Sequence, residues 1–94
     1  MPAQKFEIIL HKAAAAEIHA LPAKERALVR RTIDDLVENP VPVGAMRLRG
    51  RENAYRIRLG NYRILYEVHA IEIVIYVFGV AHRKEVYLRL LRRR

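Results

Sequence analysis

The sequence predicts an α+β domain, in which an antiparallel β-sheet carries an N-terminal helical hairpin on one face and a short C-terminal helix (β-α-α-β-β-β-β-α). Three observations predict this class. Residues 55–66 alternate apolar and charged side chains around a Gly-Asn pair, as two half-buried strands joined by a hairpin turn do. Residues 11–38 form two helical segments separated by one proline, and residues 71–80 form the longest apolar run. Helices and antiparallel strands in separate parts of a chain are typical of α+β domains.

The first part of the chain is predicted to hold one strand and two helices. Residues 3–10 (AQKFEIIL) contain a short apolar run that predicts a strand at the start of the sheet. Residues 11–21 are rich in alanine, the best helix former. Pro22 ends this helix and can occupy the first turn of the next, which residues 23–38 continue until an Asn-Pro pair stops it. Two helices joined at a proline form an antiparallel hairpin, which needs a surface to cover.

The second part of the chain is predicted to supply the other strands and the last helix. Residues 46–50 (MRLRG) alternate again and predict a short strand before the central hairpin. Residues 71–80 (IEIVIYVFGV) are mostly β-branched, which predicts a strand buried on both faces near the centre of the sheet. Residues 85–94 (EVYLRLLRRR) have near-helical apolar spacing and predict a terminal helix.

The central hairpin separates charged from apolar side chains. If Gly60 and Asn61 form a two-residue loop, Arg58 lies opposite Arg63, and Arg56 shares their face. The tyrosines and isoleucines of the hairpin then occupy the other face. Because like charges directly opposite each other destabilise a sheet, we expect the arginine face (Arg56, Arg58 and Arg63) to hold a polyanion.

The last strand and the residues after it are expected to extend the arginine face. If a tight His-Ala turn precedes the last strand, Tyr76 lies opposite Arg63. The strand then leads to His82, Arg83 and Tyr87, which we expect near the end of the same face. Arginine binds phosphate with a planar fork of donors, and aromatic rings stack on unpaired bases. These residue types together predict a surface for nucleic acid.

Length and composition exclude several classes of protein. A chain of 94 residues predicts a single domain over residues 1–94. Cysteine is absent and the histidines lack metal-ligand spacing, so we expect neither a metal nor a cofactor. No apolar run reaches the roughly 18–20 residues of a membrane span, and the N-terminus lacks the apolar core of a signal peptide, which predicts a cytoplasmic protein. A net charge of +8 and a pI of about 10.4 predict attraction to nucleic acid or to an acidic protein.

Three segments resemble motifs of a known family. Residues 55–59 (YRIRL), 62–66 (YRILY) and 79–87 (GVAHRKEVY) are similar to the sheet and C-terminal motifs of the RelE/ParE superfamily of bacterial toxins. The helical hairpin and residues 48–50 (LRG) match the family's layout, so the resemblance covers nearly the whole chain. Members resembling RelE are ribosome-dependent endoribonucleases that cut messenger RNA and are held inactive by a cognate antitoxin. Members resembling ParE share the fold but poison DNA gyrase and lack the nuclease residues.

The resemblance implies site residues, which are carried over position by position. The basic residues of the family's site fall on four arginines, and its C-terminal tyrosine falls on Tyr87. The arginines are Arg56, Arg58, Arg63 and Arg83. RelE-like members often have lysines where Arg56 and Arg58 stand, and arginine stays protonated, so these two are poor proton acceptors. The general base is then His82 or Tyr87. We expect RNA contacts from Arg47, Arg49 and Tyr76.

Three functions and three modes of inhibition stay open at this point. The chain could cleave messenger RNA on the ribosome, poison gyrase, or bind RNA without cutting it. An acidic antitoxin could dock in the groove between residues 13–38 and the sheet, where an amphipathic helix can bury apolar side chains. It could instead cover the arginine face, or displace the predicted terminal helix of residues 85–94.

Overall fold

A computed structural model of the chain describes residues 5–85. Its elements are β1 (Glu7–Leu10), α1 (Lys12–His19), α2 (Ala23–Leu36), β2 (Met46–Arg47), β3 (Ala54–Leu59), β4 (Tyr62–His69) and β5 (Val74–His82). The predicted α+β class is confirmed, as is the order of the elements up to the last strand. Of the helix predicted over residues 85–94, all but Glu85 lies outside the described residues.

The five strands form one sheet in the order β1-β5-β4-β3-β2. Strands β2 to β5 pair antiparallel with their neighbours, and β1 pairs with β5 in the parallel direction. The amide of Glu7 donates to the Ile73 carbonyl at 3.0 Å, and the amide of His11 donates to the Val77 carbonyl at 2.8 Å. These bonds attach both ends of the edge strand β1 to the chain of β5 and the turn before it.

Strand β5 lies between β1 and β4, as predicted for the apolar run. Ile75 and Val77 are fully buried on the face that meets the helices, and Phe78 is buried on the opposite face. The strand begins later than the apolar run does, because residues 70–73 form a turn. Ile73 closes that turn with a positive φ of 59°, a conformation that β-branched residues rarely adopt.

The predicted tight His69-Ala70 turn is wrong, and the register of β4 with β5 changes with it. The longer turn pairs His69 with Val74. A β-bulge at Leu65/Tyr66 then shifts the pairing once more, so two residues of β5 span one step of β4. As a result both halves of β4 and β5 pair differently from what a tight turn requires.

The main core lies between the helical hairpin and one face of the sheet. The helices bury one apolar stripe each, and the strands contribute every second residue. The buried residues of this core are Ala14, Ile18, Val29, Ile33, Leu36, Ile57, Ile64, Tyr66, Ile75, Val77 and Val80. Within residues 5–85, neither helix has the length and apolar character needed to cross a membrane.

Tyr66 joins this core to the segment that follows α2. Its side chain is fully buried, and its ring stacks on that of Tyr55 with centroids 5.8 Å apart. Burial raises the pKa of the Tyr66 hydroxyl, which therefore stays protonated and donates to the Pro40 carbonyl at 2.7 Å. This hydrogen bond holds the chain at the point where it leaves the helices and turns toward β2.

We expect Tyr66→Phe to lower the free energy of unfolding by about 1 kcal/mol, since the Pro40 carbonyl loses its donor while the ring packing stays. Urea denaturation measures the change. Tyr55→Phe, which keeps the stacked ring, is the matched control and should have a smaller effect. An unchanged midpoint for Tyr66→Phe would show that the hydrogen bond contributes nothing to stability.

Candidate nucleic-acid interface

The predicted register of the central hairpin is confirmed. Arg58 lies opposite Arg63, and Ile57 lies opposite Ile64. Gly60 adopts a positive φ of 56°, which the two-residue turn requires and which glycine adopts without strain. Because Ile57 and Ile64 belong to the main core, the arginine face points away from the helices.

The arginine face forms one wall of an open pocket. Arg56, Arg58 and Arg63 line a cavity of about 180 Å³ together with Gly44 and Met46. Met46 pairs with Arg56 across β2 and β3, and a guanidinium nitrogen of Arg56 lies 3.7 Å from the Met46 sulfur. The pocket thus combines three guanidinium groups with one polarisable apolar side chain.

Positive charge is concentrated around Arg63. Burial lowers the pKa of Arg63 below its ordinary value, and the positive charges of three neighbouring arginines lower it further. Those neighbours are Arg58, Arg56 and Arg83. The ion pairs between described residues join Lys5 to Glu38, and Glu67 to both Arg51 and His69, so none of these pairs neutralises the cluster.

Backbone hydrogen bonds fix the two arginines at the end of the hairpin. The Arg63 guanidinium donates to the carbonyls of Gly60 and Tyr62, both at 3.0 Å. The backbone amide of Arg83 donates to the Asn61 carbonyl at 2.7 Å. The structure therefore brings Arg83 to the same turn that positions Arg63, as the sequence predicted.

His82 lies on the other side of the sheet, which corrects the expectation that it shares the arginine face. It pairs with Tyr62, and the two rings meet edge to face with centroids 5.7 Å apart. Tyr62 alternates with Ile64 of the main core, whereas Arg63 pairs with Ala81 on the opposite face. The His82 Nδ1 atom accepts from the Lys84 amide at 3.3 Å, which leaves the proton of a neutral ring on Nε2.

Tyr76 is also misplaced by the sequence-based register. It lies opposite Glu67 rather than Arg63, and its ring meets that of His11 at 5.9 Å. Because Arg63 pairs with Ala81, five residues further along β5, Tyr76 is separated from it by roughly 15 Å of strand. Tyr76 shares the face of the arginines but lies at its other end.

That other end is covered by the basic loop, residues 47–52. The loop closes over a second, smaller apolar cluster, which the sequence did not predict. Its buried members are Leu48, Ala54, Leu65, Phe78 and Ala81. Arg47 and Arg49, predicted to contact RNA, are exposed and line an open groove of this loop.

Sequence reasoning missed the role of Arg51 in this loop. Its guanidinium carbon lies 4.8 Å above the Phe78 ring, and it forms an ion pair with Glu67. The available signal was the alternation along β4, which places Glu67 on the same face as Arg63. A carboxylate on an otherwise basic face indicates a structural partner among the arginines.

The arrangement is suited to binding a phosphodiester by charge and hydrogen bonding. Several guanidinium groups converge on an open pocket, and each presents planar donors. Among residues 5–85 no three His, Asp or Glu side chains lie close enough together to hold a metal ion. Tyr87, predicted as a site residue, lies outside the described residues.

Comparison with known proteins gives two sequence matches. Residues 8–87 match the family described as the ParE toxin of type II toxin-antitoxin system, parDE. Toxin RelG of Mycobacterium tuberculosis is 30% identical over 77 residues, covering 81% of this chain and 88% of that protein. The family match spans the arginine face and the helical hairpin.

Solved structures agree with these sequence matches. A mutant of the E. coli toxin RelE in the free state superposes with a TM-score of 0.78 at 25% identity, covering 95% of this chain and 97% of that one. The RelE of the archaeal RelE-RelB complex from Pyrococcus horikoshii gives a TM-score of 0.76 at 27% identity, with 84% and 96% covered.

We expect Arg58→Gln to stabilise the free protein by about 0.5 kcal/mol at low salt, since it removes the cross-strand repulsion with Arg63. The gain should shrink at about 0.5 M salt, where such repulsion is screened. Thermal unfolding at both salt concentrations measures it. Arg31→Gln, on the exposed side of α2, is the control and should give no gain. A loss of stability for Arg58→Gln would contradict a repulsive cluster.

Proposed function

The chain belongs to the RelE/ParE superfamily of toxins from type II toxin–antitoxin systems, and on that premise we propose that it is a ribosome-dependent endoribonuclease that cleaves messenger RNA and inhibits translation. The observation that carries the proposal is the cluster of Arg56, Arg58 and Arg63 with Arg83 beside it. A fold that places four like charges close together has a use for them, and a scissile phosphate is a group that they fit.

The proposed reaction uses the RNA's own nucleophile. The ribose 2′-OH attacks the adjacent phosphorus, the bond from phosphorus to the 5′-oxygen breaks, and the products carry a 2′,3′-cyclic phosphate and a 5′-hydroxyl. Negative charge builds on the phosphoryl oxygens in the transition state. Arg58 and Arg63 face each other across the hairpin and stabilise that charge. The Arg63 guanidinium is preorganised by its hydrogen bonds to the Gly60 and Tyr62 carbonyls.

Two proton transfers accompany this step. A base must take the proton of the 2′-OH, and a proton must reach the departing 5′-oxygen. Arginine remains protonated and is excluded as the base. His82 lies across the sheet from the arginine face, with its Nδ1 lone pair directed at the Lys84 amide. We therefore assign the base to Tyr87, the other candidate that the family resemblance implies.

A gyrase poison is the rival function, and one finding favours it. The matched family is described by the name ParE, and ParE-like members share the fold. The rival predicts cleaved gyrase–DNA complexes and a DNA damage response in cells whose messenger RNA is intact. The arginine cluster supports the nuclease instead, since gyrase poisons of this superfamily lack the nuclease residues.

We propose an acidic antitoxin as the cognate partner of the chain in the cytoplasm. The P. horikoshii relative was solved as a RelE-RelB complex. In this chain, a groove of about 340 Å³ runs between the edge strand β1 and the helical hairpin. Its lining is mostly apolar: Ile8, Leu10, Ala15, Ile18, Arg30, Ile33 and Asp34. An amphipathic helix can bury its apolar face against this lining, and Arg30 offers a partner for an acidic side chain of that helix.

We expect Arg63→Ala and Tyr87→Phe each to relieve growth arrest when the chain is expressed alone in bacteria. Loss of one preorganised charge-stabilising group lowers a cleavage rate by about 10²–10³-fold. Growth curves and the 5′ ends of cellular messenger RNA give the readout. Arg31→Ala, on the exposed side of α2, should stay toxic. If both site variants arrest growth as the unaltered chain does, the nuclease assignment is wrong.

For the partner, we expect Leu10→Glu to weaken antitoxin binding at least about tenfold, because it buries a carboxylate in the apolar groove. Isothermal titration with the acidic protein encoded beside the toxin measures it, and messenger RNA cleavage should be unaffected. Hydrogen exchange separates the alternatives: deprotection of residues 85–94 on binding indicates displacement, and protection of β3 and β4 indicates a covered arginine face. Unchanged affinity for Leu10→Glu would exclude the groove.

A further inference from the structure

Glu67 is the centre of a small network of side chains. It lies on the same side of the sheet as the arginine face, four residues along β4 from Arg63. One carboxylate oxygen accepts from the Arg51 guanidinium, and the other lies 2.8 Å from His69 Nε2. The Glu67 side chain is only 19% exposed, and that of Arg51 34%. The Arg51 guanidinium carbon also lies 4.8 Å from the centre of the Phe78 ring, which forms a cation–π contact. Arg51 is thus held from two sides.

The backbone around Arg51 is attached to the sheet at both ends of the basic loop. The Leu48 amide donates to the Ala54 carbonyl at 2.8 Å, and the Val68 amide donates to the Asn53 carbonyl at 2.8 Å. Leu48 is buried beneath the loop. Between these attachments, Gly50 has a positive φ of 80° and lies in open surroundings. In the middle of the loop, the Arg51 amide donates to the Leu48 carbonyl at 3.3 Å and the Ala54 amide donates to the Arg51 carbonyl at 3.5 Å. The Arg51 side chain adds a direct link from this part of the loop to Glu67 of β4.

We propose that Arg51 and Glu67 act as a clamp that holds the basic loop in the conformation in which Arg47 and Arg49 bind the backbone of RNA. Both are positioning residues: they act on the substrate through the two exposed arginines. The inference rests on the proposed function in taking RNA as the polyanion, but it concerns binding rather than cleavage. Without the clamp, each encounter with RNA would have to order a loop that contains a glycine, at a cost in conformational entropy.

A direct role of Arg51 in RNA binding is the competing explanation, and the two make opposite predictions for Glu67. If Arg51 binds phosphate itself, Glu67 competes with RNA, and removing its charge strengthens binding. If Arg51 is the anchor of the loop, removing the charge of Glu67 releases the loop and weakens binding, although the net positive charge of the protein has risen.

The test measures the affinity of the full chain for a single-stranded RNA oligonucleotide as a function of salt. The variants are Glu67→Gln, Arg51→Met and the two combined, with Glu52→Gln as the control that removes an exposed carboxylate of the same loop. We expect Glu67→Gln to weaken binding about threefold to tenfold, the range for ordering one or two side chains. The double variant should bind no more weakly than Arg51→Met, and Glu52→Gln should bind equally well or more tightly.

The salt dependence identifies a positioning role. Because each phosphate contact on a single strand contributes about 0.7 to the slope of log K against log salt, Glu67→Gln should lower that slope by about 0.7–1.4 although it removes no cation. On programmed ribosomes the KM should rise while kcat stays unchanged. Circular dichroism confirms that each variant is folded at the assay temperature.

Equal or tighter binding by Glu67→Gln, with an unchanged slope, overturns the clamp. The absence of salt-dependent RNA binding by the unaltered chain also overturns the clamp. If the unaltered chain binds RNA and the variants behave as described, but no messenger RNA is cut on ribosomes, the proposed nuclease function fails and the clamp stands.

Discussion

The pairing of Arg58 with Arg63 across the central hairpin is the constraint on which the site depends. Side chains alternate along a strand, so a shift of one residue would carry the arginines into the core and the isoleucines into solvent. Burial of Ile57 and Ile64 stabilises the register by about 1.5–3 kcal/mol for each side chain. The repulsion between opposed like charges is about 1 kcal/mol or less. The burial of the apolar face therefore decides the register, and this register places the arginines close together.

The face opposite the helices is divided into two parts with different electrostatics. At the hairpin turn, Arg58, Arg63 and Arg83 repel one another, and backbone hydrogen bonds keep Arg63 and Arg83 in place. At the other end, Glu67 neutralises Arg51, and the loop above it is packed onto a second apolar cluster. In the proposed function, the first part would stabilise the RNA phosphate that gains charge during cleavage. The second part would hold the neighbouring backbone of the RNA strand in place.

Local signals explain what could be predicted from the sequence. The hairpin register follows from a Gly-Asn turn and strict alternation, both contained in about a dozen residues. The position of Tyr76 and His82 could not be derived in this way, because it depends on a turn that ends at Ile73 and on a bulge at Leu65. Neither the turn nor the bulge has a local signature in the sequence. The parallel direction of β1 is likewise set by the return of the chain to the edge of the sheet.

The chemistry of the product ends tests the central claim most directly. Purified ribosomes carrying a defined messenger RNA are incubated with the full chain, and the new ends are analysed. The arginine cluster, acting on a 2′-OH nucleophile, predicts a 2′,3′-cyclic phosphate on the upstream fragment and a 5′-hydroxyl on the downstream one. Intact messenger RNA, or fragments that carry a 5′-phosphate, would contradict the account.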